Sequence, residues 1–130
     1  MSLFSIFGGG NAPAYPTDTI VAPDGTEVTF TFFKHASLSI RFGERYIYTD
    51  PVHQYAEYAR LPKADLVLVT HSHYDHLDRA AIDDITTRNS LIICDKTSAE
   101  ALEGECVAMT PSTVAEPFAG VRIEAVAAYN

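Results

Sequence analysis

The sequence predicts one α/β (α+β) domain built on a mixed β-sheet with helices packed on one face, and three observations predict it. Residues 28–49 alternate apolar and polar side chains in short runs joined by turn residues, as an antiparallel meander does. Leu66-Val-Leu-Val69 and Leu91-Ile-Ile-Cys94 are continuous apolar runs, the pattern of central strands covered on both faces. Helix-capping signals follow each run, so the order becomes strand, helix, strand, helix after the meander.

Residues 1–24 are expected to form a flexible lead-in and residues 25–130 the domain. Gly8-Gly9-Gly10 lacks the lysine and flanking elements of a phosphate-cradling loop. The first basic residue is Lys34, so the short apolar start has no charged signal-peptide region. Pro23-Asp24-Gly25 marks a turn into the strand Val28-Thr-Phe-Thr-Phe-Phe33. Ser37–Phe42 then places Leu38, Ile40 and Phe42 on one face, and Gly43-Glu44 supplies a two-residue turn into Arg45–Thr49. Tyr46 and Tyr48 read as half-buried sheet residues in preference to an aromatic binding platform. Asp78 can cap a helix over about residues 79–88, with Ala81, Ile82 and Ile85 as its buried stripe and Asn89 as its stop. Thr97-Ser-Ala-Glu100 has the capping-box pattern of a second helix ending at Gly104. Cys106–Met109 and Val121–Val126 are the last strand candidates.

Composition bounds the function. The 130 residues carry 9 Lys+Arg against 17 Asp+Glu, a formal charge of −8. Nucleic acid is a disfavoured partner, because backbone binding rests on clustered Lys and Arg, and here they are scattered singly. No apolar run approaches the roughly 18 residues of a membrane span, and a cytoplasmic location is expected, export being the alternative should a leader have been removed. Cys94 and Cys106 lack CxxC spacing and read as buried free thiols, with a structural bridge as the second reading.

The sharp chemical signal is His71-Ser-His73-Tyr-Asp75-His76, directly after the Leu66–Val69 run. Imidazole and carboxylate together form a ligand set suited to zinc and similar divalent ions. His71 and His73, two apart on extended backbone, can chelate one ion. Asp75 and His76, beyond a turn, can reach a second. Two such ions can share a water and lower its pKa toward neutrality.

His71-x-His73-x-Asp75-His76 matches the HxHxDH motif of the metallo-β-lactamase fold, and the chain resembles the lactonase-like branch of that superfamily's metal-dependent hydrolases. His35-Ala-Ser37 resembles the branch's "GHAS" turn and Thr49-Asp50-Pro51 its "DP" strand end, within a match over about residues 28–129. The resemblance implies half of an αββα sandwich and a hydrolase whose metal-bound hydroxide attacks an ester, lactone, amide or phosphodiester of a small-molecule substrate. It implies a divalent metal, zinc first with manganese or iron as alternatives, and two ions in the complete site. It assigns His71 and His73 to one ion and Asp75 and His76 to the other, with Asp75 as the catalytic residue that also orients the attacking water. Asp50 would brace the motif loop, or else be a plain Asp-Pro turn. His35 would contact substrate at the mouth of the site, or else be a surface histidine. His53 matches no motif and is expected as a loop residue.

The family's further ligands follow a strand like Val121–Asn130, and no histidine follows His76 here. The chain therefore resembles the N-terminal half of the fold. Its inner sheet face is expected to be bare, to be covered by self-association or by a C-terminal half. The alternative function is a non-catalytic metal-binding module, or a fragment whose activity needs the other half.

Overall fold

In the computed structural model, which describes residues 15–128, the meander forms β2 (Glu27–Lys34), β3 (Ser37–Phe42) and β4 (Arg45–Thr49), paired antiparallel in sequence order. The apolar runs form β5 (Leu66–Val69) and β6 (Leu91–Cys94), parallel to β4 and to each other. β1 (Thr17–Val21) and β7 (Val107–Ala108) complete a seven-stranded sheet in the order β1 to β7. β8 (Val114–Phe118) and β9 (Val121–Glu124) make a separate hairpin. A 3₁₀ turn (Tyr58–Arg60) and two helices, α1 (Arg79–Ile85) and α2 (Lys96–Ala101), fill the connections.

Period-two geometry sends the strand residues to opposite faces. Tyr48, Val67, Val69 and Cys94 face Ala81, Ile82, Ile85 and Leu102 of the helical layer. Ile47, Leu66 and Ile93 face the other way, against Ala115, Phe118, Val121 and Ile123 of the β8–β9 hairpin. The sheet is thus mixed, α+β in character, with its helices on one face. The opposite face, expected to be bare, carries the hairpin instead. β8 escaped the sequence reading because Val114-Ala-Glu-Pro-Phe118 does not alternate cleanly and contains a proline, a residue that sheets tolerate at edges.

Other differences have local causes. Residues 17–21, expected within the lead-in, form an edge strand of mostly β-branched residues whose side chains are all exposed. Its place comes from the ladder to β2, Thr17 opposite Thr31 through Val21 opposite Glu27, and not from apolar burial. Gly8–Gly10 lie outside the described residues. α1 ends at Ile85 because Thr86 is extended and its hydroxyl turns back onto the Ile82 carbonyl at 2.8 Å. α2 begins at Lys96, capped by Asp95 rather than Thr97, the Asp95 carboxylate accepting from Ser98 N at 3.2 Å. Tyr48 is fully buried rather than half-buried, its hydroxyl donating to the Pro62 carbonyl at 2.6 Å. Burial pushes that phenol well above its ordinary pKa.

Cys94 and Cys106, expected as free thiols, are joined in a disulfide. The parallel pairing of β6 with β7 sets Cys94 opposite Ala108, and the α2 crossover returns the chain so that Cys106 lies beside it. Sequence spacing alone carries no trace of that return.

Candidate metal centre

The topology gathers one end of several strands. β4, β5 and β6 run parallel, so Asp50, Thr70 and Asp95 follow their C-terminal ends side by side. β3 is antiparallel to β4, with Leu38 opposite Thr49, which brings the β2–β3 turn at His35-Ala36 to the same edge. The turn is fastened there: Thr49 Oγ1 donates to Ala36 O at 2.8 Å, and Ser37 Oγ donates to Asp50 O at 2.5 Å.

Asp50 is completely buried. Its carboxylate accepts from Thr70 N, from Thr70 Oγ1 and from His76 Nδ1, each at 2.7 Å. A carboxylate only accepts, so these bonds fix where the protons are. His76 carries its proton on Nδ1 and presents an Nε2 lone pair. The Thr70 hydroxyl spends its only proton on Asp50, so at 3.0 Å it accepts from His71 Nδ1. His71 also presents Nε2 as a lone pair. One buried carboxylate thereby sets two imidazoles in the tautomer that a metal ligand needs.

The imidazoles adjoin one another in series. Ring centroids are 4.7 Å apart for His73 and His71, 3.8 Å for His71 and His76, and 4.9 Å for His76 and His35. His71 and His73 line a groove of about 800 Å³ between the sheet edge and the chain after β9, together with Asp95, Met109, Ile123 and Ala125. On the other side of His76, His35 Nε2 lies 3.2 Å from His76 Nε2 and 3.2 Å from Asp75 Oδ2. Among the described residues, His35, Asp75 and His76 are the metal-type side chains whose ligand atoms all fall within 4.8 Å of one another.

Residues 29–130 match the β-lactamase superfamily domain. The chain belongs to the β-lactamase superfamily. A crystal structure of a Parabacteroides distasonis protein, provisionally designated a metal-dependent hydrolase, is similar with a TM-score of 0.86 and 36% identity, over 88% of this chain and 52% of that one. A cytidine monophosphate-N-acetylneuraminic acid hydroxylase of Asterias rubens is 32% identical over 78 residues, 48% of this chain and 12% of that protein. This superfamily member thus spans about half the length of the solved relative and a smaller part of the other.

Against the residues singled out in the sequence, the fold brings Asp50, His71, His73, Asp75 and His76 to one strand edge, and adds His35 to Asp75 and His76. His53 stands apart, with Nε2 2.7 Å from Asp84 Oδ2 and its backbone N–H donating to Asp78 Oδ2 at 2.8 Å. That clamp ties the loop after β4 to α1. Thr70 and Asp95 were not singled out. Their signal is positional, since the residue just past a parallel strand is where α/β folds present functional groups.

Proposed function

We propose that this superfamily member is a metal-dependent hydrolase, with zinc as its metal and a small-molecule ester, lactone or phosphodiester as substrate. The observation that carries the reading is the buried Asp50 network, which sets His71 and His76 with Nε2 as the lone-pair nitrogen, His71 lining a largely apolar groove. The donor set of imidazoles and a carboxylate fits zinc, with manganese or iron as second choices. His71 and His73 would hold one ion, and Asp75 and His76 would contribute to another. When bound, such ions make water acidic enough to attack at neutral pH and stabilise negative charge on the substrate oxygen. Asp75, 30% exposed, would hold a water proton. The apolar groove walls would seat the substrate body and keep bulk water from it.

The test is zinc loading followed by assay against a simple lactone, a carboxylic ester and a phosphodiester. Turnover of at least one, lost in His71→Ala together with bound zinc, is the expected result. Full zinc occupancy in His71→Ala would sink the ligand assignment. Zinc binding with no turnover of any of the three would favour a metal-binding module over an enzyme.

A further inference from the structure

We propose that His35 is a metal ligand, completing with Asp75 and His76 a three-ligand, tetrahedral divalent-cation site with its fourth position open. The inference deepens the metal-dependent reading above and changes His35 from a substrate contact into part of the metal centre.

The first support is spacing. His35 Nε2, His76 Nε2 and Asp75 Oδ2 form a triangle with sides of 3.2, 3.2 and 3.7 Å. Ligands about 2.0–2.1 Å from a tetrahedral zinc lie about 3.4 Å from one another, so the triangle has the size of one tetrahedral face. The second is proton inventory. His76 commits its ring proton to Asp50 through Nδ1, so its Nε2 faces His35 Nε2 as a bare lone pair. The 3.2 Å contact then needs a positive centre between the two nitrogens, which is the His35 ring proton or, in its place, a cation. On binding a cation through Nε2, His35 keeps one proton, on Nδ1, and stays neutral.

The third is backbone conformation. His35 has φ 58°, a left-handed value that glycine or asparagine adopts more cheaply. Asp50, which orients His76, has φ 41°. Two left-handed non-glycine residues at one strand edge, each with its side chain on His76, mark a place where side-chain chemistry outweighs backbone comfort. The hydrogen bonds from Thr49 and Ser37 hold the turn in register with Asp50. Exposures of 47% for His35, 30% for Asp75 and 12% for His76 leave an entry path and an open coordination position.

The experiment is titration of the whole chain with Co²⁺, followed by visible absorption, and with Zn²⁺, followed by calorimetry. Four-coordinate cobalt absorbs far more strongly than six-coordinate cobalt, so the spectrum reports coordination independently of activity. The main variant is His35→Asn, because asparagine accepts the left-handed backbone; His35→Gly is the second, and thermal unfolding checks that both fold. Wild type is expected to show the strong four-coordinate band. Both variants are expected to lose it and to bind Zn²⁺ at least about 10-fold more weakly, the lower bound for residues that merely orient a ligand. His53→Ala, remote from the triangle, is expected to leave band and affinity unchanged. An unchanged band and affinity in folded His35→Asn would overturn the proposal, as would wild type binding Co²⁺ without the four-coordinate band. The hydrolase reading fails separately, when wild type has the band and the affinity but turns over no substrate.

Discussion

Asp50 is the residue on which the centre turns, because one side chain governs two histidines. Replaced by asparagine, it keeps one accepting oxygen and gains an amide that only donates. At least one of the three donors, Thr70 N, Thr70 Oγ1 or His76 Nδ1, then faces a donor inside the protein. Such a conflict costs about 1–3 kcal/mol of stability. Asp50→Asn should also weaken zinc binding by about 10–100-fold, the usual loss when a group orienting a ligand is removed. Thr70→Val deletes the hydroxyl that accepts from His71 but leaves His76 on Asp50, so its effect should be smaller and confined to His71. Competition with a chromophoric chelator, alongside thermal unfolding, ranks the two. Equal affinity in wild type and Asp50→Asn would reduce Asp50 to a turn residue. His71, His73, Asp75 and His76 were legible through their spacing, and Asp50 only through the resemblance of Thr49-Asp50-Pro51 to the family's "DP" strand end. That His35 lies against His76 was not legible, because 41 residues separate them and a two-turn path through the sheet joins them.

At the level of the element, α1 is too short to be stable by itself, since isolated helices below about 12–15 residues are marginal in water. Its hold comes from Ala81, Ile82 and Ile85 in the core and from Asp78 at its start. Asp78 Oδ1 accepts from Ala80 N at 3.1 Å, while Oδ2 accepts from His53 N at 2.8 Å. Asp78→Ala removes both ties and should cost about 1–2 kcal/mol, whereas Asp78→Ser keeps the cap, loses the His53 tie and should cost less. Urea unfolding of the two variants measures the difference. A loss under about 0.5 kcal/mol for Asp78→Ala, the size of an ordinary surface change, would mean that packing alone places the helix. The cap was readable because an acid before Arg79-Ala-Ala-Ile82 has few other roles. So were β2 to β6, whose alternation or unbroken apolar character is a burial signal. β1 and β8 were not, because hydrogen-bond ladders and a hairpin turn define them, and such bonds leave little mark on hydropathy. The disulfide was hidden for a related reason: its partners meet through a parallel crossover.

Across the whole molecule the sheet is held from both sides, and the two sides serve the centre differently. The helical face is closed by large buried side chains, among them Tyr48, Tyr58 and Ile82. The hairpin face is looser: Phe118, Val121 and Ile123 are only partly buried, and Val114 is 46% exposed. Phe118 packs on this face with the Arg45 guanidinium 4.1 Å from its ring centroid. Gly120 turns the hairpin at φ 86°, and a Cβ there would sit 3.4 Å from the Phe42 ring. The segment after β9 forms one wall of the groove beside His71 and His73, a groove whose lining does not include His35, Asp75 or His76. Phe118→Ala should therefore separate packing of the hairpin face from zinc binding. Being half-buried, Phe118 should cost about 2 kcal/mol on truncation, below the 3–5 kcal/mol of a fully buried phenylalanine. Binding of an apolar dye such as anilinonaphthalene sulfonate should rise as the hairpin loosens from Ile47, Leu66 and Ile93. Zinc affinity should change less than about twofold, because Asp50 and its hydrogen-bond partners Thr70 and His76 follow the ends of β4 and β5 and none of them belongs to β8. Unchanged stability and dye binding would show that the hairpin adds no packing to this face. A large loss of zinc affinity would show instead that the groove wall and the histidines are one mechanical unit.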